Sequence, residues 1–327
     1  MKRLIILTVL LLLTTLLTLM LGDHLLMPQD VIGGLFNGAD AYTNLVVTDL
    51  RLPRVFLAIV TGAALGVAGC VLQFITKNPL ASPDVIGISQ GANVGSLVFL
   101  IVLTTSTEAL LMPIQYQPIF SMLGAIVITA LLYLLALRKN YKRNRLILIG
   151  VSFNILCQAI IMFLILTSNK RSGQAQIWIT GSVHQAEYYQ AILITIVLAI
   201  VMFALTYFSR SMDIHYLGKN ISDALGVRYQ FISVFALISM SILIGISMSY
   251  VGGIQFVGLI APHIAMRMGA HQFRSRMWSS ALIGAMILLV SDLIGRTLFL
   301  PKEVPAGIFT ALIGSPFFMY LLVKSRK

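Results

Sequence analysis

Arg51-Leu-Pro-Arg54, then 21 uncharged residues from Val55 to Ile75, then Asn78-Pro-Leu-Ala-Ser-Pro-Asp84 with Gly87, Gly91 and Gly95 beyond it, is the stretch that decides the fold class. A helix needs roughly 20 apolar residues to cross a bilayer, and the run from Val55 to Ile75 supplies them. Two arginines mark one mouth of this segment, and a proline-broken polar turn marks the other.

The rest of the chain repeats the pattern. Of its 327 residues 58% are hydrophobic and only 10% charged, and the mean hydropathy is +0.93; in a soluble domain about a quarter of residues carry charge. Charge-poor runs fall near 4–22, 55–76, 91–106, 117–137, 146–168, 188–209, 230–250, 254–268, 279–298 and 305–323. The sequence therefore reads as all-α, a polytopic membrane protein of about ten transmembrane helices, with a single transmembrane domain over 1–327. The segments 91–106 and 254–268 are short enough to be half-spans or tilted helices. The apolar run from Leu4 to Leu21 reads as a first span, since it exceeds a signal-peptide core and no small-x-small cleavage site follows it.

The net charge of +12 would point to nucleic acid in a soluble chain. Here the retention of Lys and Arg on the cytoplasmic side accounts for most of it. Alternating the spans from an inside N-terminus leaves only Arg51, Arg54, Lys170, Arg171, Arg296 and Lys302 outside, out of 23 basic residues. Both termini are therefore expected in the cytoplasm, and no nucleic-acid partner is needed.

Few polar groups stand inside the spans. Asp292 is the one acid well within a run, with Arg296 one helical turn on, and the two read equally as an internal ion pair or as a functional group. Gly62, Gly66 and Gly69, like Gly87, Gly91 and Gly95, have the spacing that lets helix backbones approach closely, so packing is their simpler reading. His263 has no second ligand at metal spacing, and a hydrogen-bonding role is preferred to a proton relay. Cys70 and Cys157 lie in apolar runs and read as small buried hydrophobes. No catalytic set is visible, and no cofactor or metal is expected. A phosphate-cradling loop is also missing, because Asp213 stands five residues before Gly218, where such a loop needs glycine. Between Ser211 and Arg228, Asn220-Ile-Ser-Asp-Ala-Leu-Gly226 has a cap, apolar positions and a terminal glycine, which predicts a short helix outside the bilayer over about 219–227.

In order and spacing these residues resemble the FecCD family, the permease subunits of bacterial ABC importers for iron-siderophores, haem and cobalamin. The resemblance is carried by Arg51-Leu-Pro-Arg54, Asn78-Pro-Leu-Ala-Ser-Pro83 with Gly87 and Gly91, Trp178 with Gly181-Ser182, and Ala224-Leu-Gly226. It continues through Phe256-Val-Gly-Leu-Ile-Ala-Pro-His263 with Arg267, Asp292 with Arg296, and Glu303-Val-Pro-Ala-Gly307 to Phe318. It implies a fold like that of the cobalamin-importer permease and a multi-pass place in the bacterial cell membrane. The partners it implies are a second permease subunit in a homo- or heterodimer, two cytoplasmic ATPase subunits and one extracytoplasmic substrate-binding protein. The chain itself would not be an enzyme, since ATP would be hydrolysed by the separate subunits. Ferric siderophore is the implied cargo; haem or cobalamin in the same architecture, and an ion-coupled secondary transporter as a different class, are the alternatives.

The resemblance also implies roles. Arg51, Arg54 and Arg296 would face outward and meet acidic residues of the binding protein. Asn78, Pro79 and Leu80 would form the inner constriction, faced across the dimer by the helix start near Asn144. Ser222, Asp223, Ala224, Leu225 and Gly226 would form the helix that couples to the ATPase.

Overall fold

A computed structural model describes residues 2–22, 24–36, 38–104, 110–137, 143–167 and 172–325. Among the described residues the chain is helical, with one isolated β-bridge between Thr104 and Leu110. Seven helices among the described residues are long and apolar enough to cross a membrane by length and composition: Lys2–Met20, Ala41–Thr76, Ile114–Ala136, Arg145–Thr167, Tyr188–Tyr207, Tyr229–Val251 and Phe273–Thr297. Of the other three expected segments, two are shorter helical stretches, Ile88–Val102 and Val257–Arg267, and the third is the 20-residue helix Ala306–Ser325. At 1.5 Å per residue the 11-residue Val257–Arg267 rises roughly 16 Å, about half a bilayer.

The helices used below are α1 (Lys2–Met20), α2 (Leu52–Thr76), α3 (Ile88–Leu97), α4 (Gln117–Leu132), α5 (Arg143–Thr167), α6 (Ser172–Thr180), α7 (Tyr188–Tyr207), α8 (Ser209–Leu217), α9 (Lys219–Ala224), α10 (Tyr229–Val251), α11 (Val257–Arg267), α12 (Phe273–Thr297) and α13 (Ala306–Ser325). The axis of the bundle is α2, buried along nearly its whole length and packed by α12, α10 and α11. Its glycines explain how. A Cβ on Gly62 or Gly66 would collide with the backbone carbonyls of Gly284 and Ser280 on α12, and one on Gly69 with that of Gly258 on α11. Gly91 and Gly95 of α3 meet Gly124 and Phe120 of α4 in the same way. In a medium as apolar as the side chains themselves, such close backbone contact is the main attraction left to hold helices together. By contrast α1 and α5 turn most of their apolar side chains outward, with only 17% and 22% of their spanning windows buried. Cys70 and Cys157 are buried and free.

Two boundaries differ from the sequence expectation. The segment expected to start at Val55 is preceded by helix all the way from Ala41, so that Arg51 and Arg54 sit inside a 36-residue rod. Pro53 does not break it: the proline lies in the first turn of α2, where a missing N–H costs little, and the turn before it, Leu45–Arg51, widens into a π-helix. Likewise α12 begins at Phe273 rather than near Ser279. Arg276 is accommodated there because its guanidinium lies 4.7 Å over the Phe74 ring and its Nε donates to the Ala270 carbonyl at 3.1 Å.

Candidate functional site

Polar side chains gather at the two ends of α2. At the Arg54 end, the 25 helical residues of α2 meet the C-terminal end of α1, whose last carbonyls have no partner within their own helix. Arg51 supplies it. Nη1 donates to the carbonyls of Leu19 at 2.6 Å and Met20 at 3.0 Å, and Nη2 to that of His24 at 2.7 Å. Arg296 donates to the Thr18 carbonyl on the same helix end. Two cations thus close one helix C-terminus, where the peptide dipoles favour positive charge.

Arg54 is used differently. Its Nε donates to both carboxylate oxygens of Asp292 (3.0 and 2.9 Å) and its Nη2 to Oδ1 at 2.8 Å, a fork-to-fork pair between α2 and α12. The remaining arm, Nη1, donates to Glu303 Oε2 at 2.9 Å, and the same oxygen lies 2.7 Å from His184 Nδ1. The structure gathers the three arginines at one end of α2, but not with their guanidiniums open to solvent: Arg51, Arg54 and Arg296 are 6%, 9% and 7% exposed. A charge in or near an apolar medium must find a partner, and the buried carbonyls and carboxylates lie closer than water does. The Asp292 carboxylate takes Arg54, 238 positions away in sequence, as well as standing one turn from Arg296.

At the Asn78 end α2 stops because Lys77 adopts a left-handed conformation (φ 48°) and Asn78 Oδ1 accepts the Leu80 N–H at 3.0 Å, forming a tight side-chain turn. Pro79 is exposed, with Asn78 and Leu80 partly buried. The turn is held from behind by Gln73, whose Nε2 reaches the carbonyls of Ala81 (3.4 Å) and Leu259 (3.3 Å). His263 packs edge-on against Phe317, with the backbone of Pro79 beside its ring. Asn144 belongs to the first turn of α5, and its side chain lies outside the described residues. Asp84, just past the turn, ties three segments: it accepts from Ser82 Oγ (2.9 Å), Ser89 Oγ (3.3 Å) and the Phe256 N–H (3.0 Å), and its own carbonyl accepts Asn154 Nδ2 at 2.7 Å.

Near this end α8 and α9 form a bracket. Ser222 is buried and its Oγ donates to the carbonyls of Ile214 (3.1 Å) and Gly218 (2.8 Å), locking α9 to α8. On α8, Asp213 Oδ1 accepts the Phe273 N–H at 2.8 Å and so caps α12, while His215 stacks on Tyr229 with ring centroids 4.0 Å apart and its Nε2 lies 2.8 Å from Ser233 Oγ. Burial pushes the His215 imidazole down to about 4, with the Lys77 ammonium adding to it. Burial also raises the Asp213 carboxyl, against the Phe273 N–H that lowers it. The remaining residues of the expected coupling helix, Asp223, Ala224, Leu225 and Gly226, are all exposed, and Leu225 with Ile221 leaves two apolar side chains bare at 58% and 48%.

Glu303, His184, Asp84 and Asp213 carry much of this geometry and were not singled out from the sequence as site residues. Two of them had a signal, since Asp84 closes one of the quoted motif stretches and Glu303 opens another. A cluster that joins residues from α2, α12 and two connecting segments leaves no local spacing to detect.

A bundle of membrane-length helices, polar at both ends of one buried rod, defines a multi-pass membrane protein. A family model for the FecCD transport family matches residues 10–324. The achromobactin transport system permease protein CbrC of Dickeya dadantii is 37% identical over 306 residues, covering 93% of this chain and 86% of its own. The Fe(3+)-citrate import system permease protein YfmE of Bacillus subtilis is 34% identical over 327 residues, covering 99% of this chain and 95% of its own. Among solved structures, an inward-facing conformation of a metal-chelate type ABC transporter superposes with a TM-score of 0.84 at 26% identity, covering 99% of each chain. The chain belongs to the FecCD transport family.

Proposed function

We propose that this chain is the permease subunit of a binding-protein-dependent ABC importer that carries a ferric siderophore across the bacterial cell membrane. The observation that carries the reading is near-complete coverage by relatives whose names specify iron-chelate permeases, together with a like fold from end to end. In this reading the Arg54 end faces outward, the Asn78 turn and α9 face the cytoplasm, and both termini are inside; the distribution of the 23 basic residues supports it. The whole of 1–327 acts as one transmembrane unit, two of which enclose the path.

Arg51, Arg54 and Arg296 lie just beneath the surface on which the binding protein docks. Asn78, Pro79 and Leu80, with Asn144 of the second subunit, narrow the path at its inner end. Leu225 and Ile221 enter a cleft of the ATPase, so that closure of the ATPase dimer pulls on α9, then on α8 through Ser222, then on α12 and α10 through Asp213 and His215. The chain transmits this movement and hydrolyses nothing itself. A proton- or sodium-coupled mechanism would need acidic or polar residues at the bilayer midplane, and the acid that the sequence places within a span, Asp292, is held by three hydrogen bonds from Arg54.

The test is growth of a deletion strain on single iron sources, with cobalamin uptake measured in parallel and the partner ATPase either active or inactivated. Loss of growth on a ferric siderophore, restored by this chain only with an active ATPase, is the expected result. Restoration of cobalamin uptake alone would overturn the cargo, and uptake persisting with the ATPase inactivated would overturn the mechanism.

A further inference from the structure

We propose that Glu303 is a built-in stand-in for a carboxylate of the docking protein: it occupies the outer arm of Arg54 in the free permease and is displaced when an acidic side chain of the partner arrives. The inference rests on the outward orientation and docking role given above, and deepens them by saying how a buried arginine becomes available.

The two carboxylates on Arg54 are not equivalent. Asp292 is 2% exposed, sits within α12 and holds Nε and Nη2 by three hydrogen bonds. Glu303 is 35% exposed, stands in the non-helical connection between α12 and α13, and holds only Nη1. The first fixes the guanidinium in place; the second covers the arm that points to the surface. Arg296 is within electrostatic reach of Asp292, Arg54, Arg51 and Glu303, so the cluster sets three cations against two anions.

Exchange suits this arrangement. Stripping a buried guanidinium of a partner is costly because the charge is left uncompensated in a poorly solvated place. Replacing one carboxylate by another never leaves it so. A neutral or basic surface cannot make the exchange, and Glu303 therefore screens for acidic partners as well as covering Arg54. The displaced Glu303 also has a place to go: its Oε2 is already 2.7 Å from Nδ1 of His184, a side chain 60% exposed. If Glu303 were only a latch tying its loop to α2, its loss would loosen the loop and would not improve any binding.

The experiment uses the full chain in right-side-out membrane vesicles, which present only the outer face, and a fluorescent hexaglutamate peptide as the carboxylate probe. Glu303→Gln keeps the size of the side chain and removes the competing charge; it is expected to tighten peptide binding about threefold to tenfold, the scale of one partly exposed ion pair. Adding Arg54→Lys, which keeps Asp292 paired but has no second arm, is expected to abolish the gain. Should Glu303→Gln be absent from the membrane, Glu303→Asp, which draws the carboxylate back from Nη1, carries the same expectation. Equal binding by wild type and the Glu303 variant, or a gain that survives Arg54→Lys, overturns the displacement. If at the same time Arg54→Lys alone weakens binding, the docking role stands without it. No binding above that of vesicles lacking the chain, in any variant, overturns both.

Discussion

The two ends of α2 face the same difficulty, polar groups at the rim of an apolar bundle, and resolve it in opposite ways. At the Arg54 end the charges turn inward: three guanidiniums are consumed by carbonyls of α1 and by Asp292 and Glu303, and little of them remains at the surface. At the α8–α9 end the polar groups are also consumed internally, by Ser222, Asp213 and His215, but what they achieve is to hold apolar side chains outward. The first end keeps charge in reserve under a cover; the second keeps a hydrophobic surface on permanent display. A partner that comes and goes with each transport cycle matches the first, because charge complementarity governs encounter and register. A partner that stays bound and transmits force matches the second, since exposed apolar side chains in a rigid frame gain from lasting burial.

The largest effect should come from removing the anchor of the first end. Asp292→Ala leaves the Arg54 guanidinium buried with one partner in place of two, and breaking such a pair costs about 3–5 kcal/mol. Thermal unfolding in detergent should show a large fall in midpoint, with Asp292→Asn in between because it still accepts one N–H. A variant as stable as wild type would mean that the pair is ornamental, and the contrast between the two ends would lose its basis.

Next comes the display at the second end. Leu225→Asp puts a charge where an apolar contact is expected, and losing one central contact of that kind is worth about 2 kcal/mol, roughly thirtyfold in affinity for the proposed ATPase partner. Because Leu225 is 58% exposed in the free chain, the amount and thermal stability of the permease in the membrane should not change while uptake falls. Unaltered uptake would show that the exposed side chains are idle.

What the sequence made legible follows the same division. The Asn78 turn, the glycine seam of Gly62, Gly66 and Gly69, and the short helix ending at Gly226 are local patterns, encoded by a side chain bonding its own backbone, by i+4 spacing, or by one residue that tolerates positive φ. They were readable for that reason. The Arg54 end is built from partners 27 to 278 positions apart, and no periodicity carries that information. Pro53 shows a related limit: a proline in the first turn of a helix and one that ends a helix look alike until the π-turn before it is seen. Arg276 was read as loop because charge normally marks water, whereas here Phe74 takes its place.

A smaller effect is expected at Gly226, which has φ +76° and open space where a Cβ would go. Gly226→Ala therefore meets no neighbour, and its cost is backbone strain alone, about 1 kcal/mol. Since α9 is only six residues long, that strain should displace Leu225 rather than unfold the bundle. Uptake should fall a few-fold with stability unchanged, and Gly226→Asn, which tolerates the conformation better, should recover part of it.

The smallest effect is a pH dependence confined to the bracket. His215 is held neutral, with its imidazole pushed down to about 4 from 6.5, so above pH 6.5 neither the folded nor the unfolded bracket binds this proton. As pH falls below 6.5 the unfolded form takes up the proton first, and stability is lost progressively until about pH 4, where the folded form is protonated as well. At pH 6 this linkage amounts to only about 0.8 kcal/mol. Asp213 works the other way: its carboxyl is raised by burial, so the folded bracket binds that proton more readily than the unfolded one, and stability is regained as pH falls through the raised value toward 3.8. The two groups sit on one helix and cap or stack on different neighbours, so they should be separable. Hydrogen exchange of α8 amides between pH 7 and pH 5.5 should speed up, after correction for intrinsic rates, in wild type and not in His215→Gln. The glutamine can keep a hydrogen bond to Ser233 without titrating. The C-terminal turn of α1 should show no such slope, because the guanidiniums of Arg51 and Arg296 that bind its carbonyls keep their charge throughout this range. A slope that persists in His215→Gln would assign the acid sensitivity elsewhere and remove the distinction drawn here between an end held by fixed charges and an end held by a neutral histidine.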